Sequence, residues 1–484
     1  MLKTIIRREI MDQILSVRFI VFFVLCIVLI PLSIYVNHEG YQARLNSYNK
    51  MKRMIEEDFG RASIMDIMQG TVPIKAVRPP SSLSIFASGL EDEIPRYYTI
   101  KEITPEPGES KATGEAIFSL FGKLDLLFIV QVILSLAAFL FAFDAIAGEK
   151  ERGTLAATLS NPLPRDTLLF GKFLGGYITL LIPFGVSLLI GFIILNFISP
   201  GLLAGENLSR LSLVILLSFI YIATFFALGM LVSTRTTRAN TSLIMLLFLW
   251  VVVVLAIPKI SVLITKIIKP VKSETVFGLE KSLVWKDIDD EKNKVLSDAY
   301  LRIMGDMAYL GYRDRPPGFE EAHAEYEEFR ALIHEKYHKK QREAMAKMDK
   351  EYERQKDAQR DVAMNLSRIS PASSFVFAVT DLCQTGESIR RKFLSLVKSY
   401  HRTLEGGLFS KVARDFITLP GGRTSSHWSM KEHVDLKSLT HFSFEQPTLA
   451  DSLRSTWVDI LLLVIFGVLF FISAYVSFLR YDVR

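Results

Sequence analysis

His334-Glu335-Lys336-Tyr337-His338 fits H-E-x-x-H, in which two histidines one helical turn apart bind zinc and the glutamate activates a water. The chemistry would be metal-assisted hydrolysis. The neighbourhood opposes it: Lys336 lies inside the motif, and Lys339 and Lys340 follow directly. A dication needs ligands walled by apolar side chains, not a lysine shell. A charged helix rich in His and Glu meets this spacing by chance, so the segment reads as a solvated helix face. His334 and His338 are kept as weak candidates for a surface metal site, and a membrane-anchored zinc metalloprotease is the enzyme reading that metal analysis would exclude. Nucleotide chemistry is absent in a different way. No G-x-x-x-x-G-K-[ST] occurs, and Gly171-Lys172 runs into Phe173 without an upstream glycine loop. The chain is expected to bind no cofactor of its own. If ATP drives it, the ATP and its magnesium sit on another polypeptide.

The elements that must position these residues are mostly apolar helices. The chain has 484 residues, 50% hydrophobic and 22% charged, so long apolar runs alternate with sizeable polar domains. A formal charge of +6 is small for this length and makes no case for nucleic acid. Two cysteines, Cys26 in an apolar run and Cys383 in a polar one, form no disulfide framework. The first apolar run lacks a small-x-small cleavage site and reads as a retained anchor. Leu126 to Phe143 and Leu174 to Phe197 carry no charge, and each is long enough to cross a hydrocarbon core of about 30 Å. Asp144 and Asp459 sit at helix ends, leaving no ionisable relay for a proton- or sodium-coupled carrier.

Between those two runs lies a charged loop, residues 144–172. It contains Glu149-Lys150-Glu151-Arg152-Gly153-Thr154-Leu155, then Leu159-Ser-Asn-Pro-Leu-Pro-Arg165, then Gly171-Lys172-Phe173. Pro162 and Pro164 end whatever helix Gly153 to Leu159 begins. This stretch resembles the signature loop of type-2 ABC exporter permeases, in which an acidic-basic-Gly-Thr run leaves the second membrane helix and a Leu-Ser-x-Pro-x-x-Arg-like run leads into the third. The match is close but imperfect, and the helix order around it agrees along the chain. The resemblance implies a coupling helix docking on a separate ATPase subunit, with Glu149, Lys150, Glu151, Arg152, Gly153 and Thr154 at the contact and Leu155 and Leu159 filling an apolar groove. It also implies two ATPase copies and a second permease chain, identical or related, giving twelve helices around a substrate route.

The fold class expected is an all-α polytopic membrane protein with six transmembrane helices and two extracytoplasmic insertions, the second a long helical hairpin. Residues 1–18 form an amphipathic interfacial helix with Ile6, Ile10, Ile14 and Val17 on one face. Residues 19–36 are the first span, kinked at Pro31. Residues 37–123 form the first outer domain, a charged helix followed by short strands around Pro79 and Pro80. Residues 124–268 hold spans two to five. Residues 269–455 form the second outer domain, and 456–484 the sixth span with its tail. From Phe319 to Ile369 apolar residues recur at 3–4 spacing, predicting a helix of roughly 75 Å that pairs with Leu279 to Leu310. Ala372 to Leu382 is a short apolar return. Lysines and arginines of the short segments gather at the termini, the 144–172 loop and the Arg235–Arg238 turn, against Arg210 alone opposite. That bias puts both termini and the loop in the cytoplasm of a plasma-membrane protein, with the two large insertions outside.

The composite expectation is a permease subunit that couples ATP hydrolysis on a partner to export. A complex whose ATP turnover moves the outer hairpin without passing a solute is the alternative, separated by transport measurements in vesicles.

Overall fold

The computed structural model describes residues 2–61, 72–100, 105–108, 124–160, 164–309, 316–404 and 442–481. Six of its helices are long and apolar enough to cross a membrane. The first is α2 (Val17–Arg61), preceded across a short turn at Ser16 by α1 (Leu2–Ile14). The second, α3, spans residues 126–142 and contains a π-helical segment, Ile129–Leu134. Two short helices follow, α4 (Ala147–Glu151) and α5 (Thr154–Leu159), then the spans α6 (Arg165–Ile198) and α7 (Glu206–Arg235). The fifth span, α8 (Ala239–Ile268), has a second π segment at Val251–Ala256. The hairpin is α9 (Glu274–Met304) and α10 (Phe319–Ser367), followed by α11 (Pro371–Leu382), α12 (Glu387–Leu404) and the sixth span, α13 (Leu449–Leu479). The hairpin link is only partly described, because residues 310–315 lie outside the described set.

Span boundaries differ from the apolar runs because helices continue past the membrane. Residues 41–60, expected as a charged helix of the first insertion, prolong α2 without a break, and Pro31 lies inside the same helix. Thr448 starts α13 eight residues before the apolar run by a capping box, its hydroxyl accepting from Asp451 N–H while Asp451 accepts from Thr448 N–H.

The two insertions form one unit. Strands β1 (Ile74–Val77), β2 (Tyr97–Ile100) and β3 (Pro105–Pro107) make an antiparallel sheet in that order. Helix α12, from the second insertion, covers it: Phe393 meets Tyr98 edge-on at 5.4 Å, in a core with Ile74, Ile100 and Val397. Ser81 Oγ donates to Cys383 O at 2.6 Å, and Leu90 N–H donates to Thr385 O at 2.8 Å. Inside the first insertion Arg78 and Glu91 pair at 3.0 Å, both buried, and burial pushes the Glu91 carboxyl above its ordinary range despite the arginine.

Arg210, counted from the sequence as a surface charge, is 1% exposed. Its guanidinium donates to Ser452 Oγ, Leu382 O, Pro447 O and Glu206, joining α7, α11 and α13 at the start of α7. Phe375 of α11 stacks on Tyr221 at 4.3 Å, about 16 Å further along α7 at the helical rise of about 1.5 Å per residue. Helix α11 therefore runs among the spans, not above them, and the second insertion re-enters the helical bundle between residues 368 and 382.

Candidate functional site

Ser233 of α7 turns the chain out of α3. Its buried hydroxyl donates to Phe143 O at 2.9 Å and accepts from Ile146 N–H and Ala147 N–H, supplying the orphan donors that begin α4. Each charged residue of α4 is then held by its own chain. Glu149 pairs with Lys172 at 2.9 Å; Lys150 donates to Thr234 O and Thr236 O; Glu151 accepts from Ala239 N–H at 2.9 Å. Gly153 takes φ +71° between α4 and α5, a left-handed turn that a side chain would strain. Leu155 beyond it is 1% exposed, and Leu159 packs half-buried on the same core. The apolar anchors expected to face outward thus face this chain's own interior. Arg152, Thr154, Ala156 and Ala157 remain as the exposed strip. Pro162 lies outside the described residues.

The same end of the bundle holds the end of α13 and the start of α2. Arg165 Nη1 donates to Leu479 O and Tyr481 O, each at 2.9 Å, Lys150 lies 4.5 Å over the Tyr481 ring, and Arg18 pairs with Asp144 at 2.9 Å. Helix α1 seats on α6 along a glycine face. A Cβ at Gly171 would stand 2.7 Å from Ile5 Cγ2, and one at Gly175 2.6 Å from Glu9 Cβ. Beside that seat the buried Lys172 ammonium reaches Glu9 at 3.3 Å as well as Glu149, linking α1, α4 and α6. The sequence places Lys172 in the charged loop and in the charge bias but does not reveal the carboxylates that hold it. Its signal was there: a lone cation entering an uncharged helix needs a partner.

At the opposite end, the hairpin is tied to the two π segments. In each segment one carbonyl accepts from a side-chain hydroxyl of another element. In α3 that carbonyl is Gln131 O, which accepts from Ser135 Oγ and, at 2.9 Å, from Tyr221 OH. In α8 it is Val253 O, which accepts from Ser370 Oγ at 2.6 Å, immediately after α10. Trp250 Nε1 donates to Ser135 Oγ at 2.9 Å and joins one π segment to the other. Arg368 then grips Asp459 of α13 with two bonds, 2.7 and 2.9 Å, and Asp459 is only 2% exposed.

His334 and His338 lie on α10 with ring centroids 6.3 Å apart, His338 exposed and His334 partly covered by α9. Burial and the cations Lys292 and Arg330 hold the His334 imidazole below its ordinary range. Among the described residues no group of three His, Cys, Asp or Glu side chains is placed to hold a metal.

The loop, the six spans and the outer unit can be set beside known proteins. Over 115 residues the chain is 35% identical to a probable ABC transporter permease protein NosY of Pseudomonas aeruginosa, and the match covers 23% of this chain. A NosY permease of Stutzerimonas stutzeri is 32% identical over 115 residues. The chain spans 42% of the length of these relatives. The family described as ABC-2 family transporter protein matches residues 3–483, nearly end to end. This chain belongs to the ABC-2 transporter family.

Proposed function

We propose that the chain is the permease of an ATP-driven exporter, working beside a second permease chain and two ATPase subunits that hold the ATP and magnesium. The observation that carries this is the α4–α5 loop. The charged residues of α4 are fixed to α6, α7 and α8, while Arg152, Thr154, Ala156 and Ala157 stand exposed at the end of the bundle away from the hairpin. A force passed between two proteins needs a rigid element that grips its own chain on one side and a partner on the other. Glu151 and Arg152 fix register at its rim, and Leu155 and Leu159 stiffen it from within. The Lys and Arg bias of this end supports a cytoplasmic position for it.

A second reading, outward mechanical work without solute passage, is favoured by the ties between hairpin and π segments. A shift of α3 driven at the loop reaches Gln131, Ser135 and Trp250, then Ser370 and the base of α10. Transport into sealed vesicles separates the two readings.

The test is affinity purification of the tagged chain from its native membranes, with Mg·ATP hydrolysis measured on the eluate. Wild type brings down an ATPase. Arg152→Glu and Ala156→Asp lose it, because a mispaired charge at a protein interface costs about 2–5 kcal/mol. If both variants keep full assembly and hydrolysis, this strip is not the contact.

A further inference from the structure

Helix α1 ends two residues before the first span begins, so it stands at a membrane surface. Its path is crosswise. From Leu2 to Gln13 it advances about 16 Å, while its contacts on α6 move only from Gly171 to Gly176, about 7.5 Å. The acidic residues of α1 are occupied: Glu9 turns inward to Lys172, and Asp12 pairs with Arg8 at 3.7 Å. Lys3 and Arg7 are exposed and have no carboxylate partner among the described residues. They flank the half-buried stripe Ile6, Ile10 and Ile14, with Met11 51% exposed beside it. Cations bordering an apolar stripe at this position match the phosphates of a lipid headgroup layer, with the apolar side chains entering beneath them.

What lies behind α1 makes this more than an anchor. Lys172 is one cation shared by two carboxylates, Glu9 from α1 and Glu149 from the loop. The second oxygen of Glu149 and the Gln13 side-chain oxygen are buried without a hydrogen-bond partner. In low-dielectric surroundings an unpartnered buried polar atom is costly, so a shift of one member of this network is felt by the others. If α1 lifts from its glycine seat, Lys172 passes wholly to Glu149 and α4 is held differently.

We propose that α1 binds anionic phospholipid headgroups through Lys3 and Arg7, and that Lys172 relays its seating to the α4–α5 loop. The relay rests on the reading of that loop as the docking element only for its consequence, since the test below uses the permease alone.

The full chain, with Cys26 and Cys383 both buried, is placed in nanodiscs of phosphatidylcholine with or without phosphatidylglycerol. Thiols introduced by Met11→Cys and, separately, Thr154→Cys are labelled from solution. Each basic residue near an anionic surface is worth about a fivefold change in binding. We expect phosphatidylglycerol to slow labelling at position 11 at least fivefold and to change the rate at position 154 in parallel. Lys3→Gln with Arg7→Gln removes both responses, and Glu9→Gln keeps the first and removes the second. Soluble glycerol phosphate at matched concentration changes neither. Equal labelling in both lipids, or a response that survives the Lys3/Arg7 change, overturns lipid binding. A response at 11 with none at 154 in the wild-type background overturns the relay. Each of these outcomes is independent of whether an ATPase binds.

Discussion

Lys172 is the residue on which the loop end of the molecule depends. It compensates two carboxylates in a buried place, so Lys172→Met leaves Glu9 and Glu149 facing each other without a cation. Breaking a buried pair in this way costs about 3–5 kcal/mol. The expected result is a clear fall in melting temperature in detergent, largely restored when Glu9→Gln and Glu149→Gln are added; an unchanged melting temperature would show that the triad carries no stability. The cation was visible in the sequence but its partners were not, because Glu9 lies 163 positions away. The opposite case is His334, whose motif was conspicuous and whose surroundings are cationic. Its imidazole sits below its ordinary range because of burial and then Lys292 and Arg330. The folded hairpin therefore binds fewer protons there than the unfolded chain, and stability falls as pH drops below the unfolded value of about 6.5. Protection factors of α9 and α10 amides should decrease from pH 7.5 to 5.5 in the wild type. In His334→Gln the decrease should be smaller.

At the scale of elements, the hairpin was legible because its apolar residues recur every three or four positions, and its seam is built as that spacing requires. Phe277 stacks on Tyr352 at 4.0 Å, Lys281 pairs with Asp349 at 2.8 Å, and Tyr337 OH donates to Glu291 at 3.0 Å. The π segments were not legible. Ile-Val-Gln-Val-Ile-Leu fits an ordinary span and its Gln131 O bonds the distant Tyr221, whereas Val-Val-Val-Val-Leu-Ala runs into Pro258, which has no N–H to offer Val253 O, and Ser370 bonds that carbonyl instead. What starts helix α4 was not legible either, since Ser233 supplies its first bonds from 86 and 87 positions away. If these ties transmit motion, Trp250→Phe combined with Ser370→Ala should preserve insertion and ATPase assembly while uncoupling the hairpin. Spin labels on α5 and α10 would then show the nucleotide-dependent distance change at α5 but not at α10; retention of both changes would refute transmission by this route. Arg368→Met alone should destabilise by about 3–5 kcal/mol by stranding Asp459, and Asp459→Asn added to it should recover part of that loss.

At the scale of the whole molecule, the six spans were readable from apolar length. That the insertions merge into one unit was not readable, since the sheet of the first and helix α12 of the second meet across some three hundred positions, as in Tyr98 against Phe393. The re-entry of α11 was hidden as well, because a twelve-residue apolar helix is too short to announce itself as a membrane element. Sidedness has a direct check: thiols introduced by Gln355→Cys and Ser160→Cys should react from opposite faces of sealed vesicles, with 355 outside. The central claim is that the exposed strip of α4 and α5 is where an ATPase grips this permease. A photo-crosslinking residue placed at Arg152, Ala156 or Ala157 in native membranes should yield an adduct with an ATP-binding subunit, and one placed at Leu279 on the hairpin should not. Absence of that adduct at all three loop positions in a complex that still hydrolyses ATP, or its appearance from Leu279, would contradict the account.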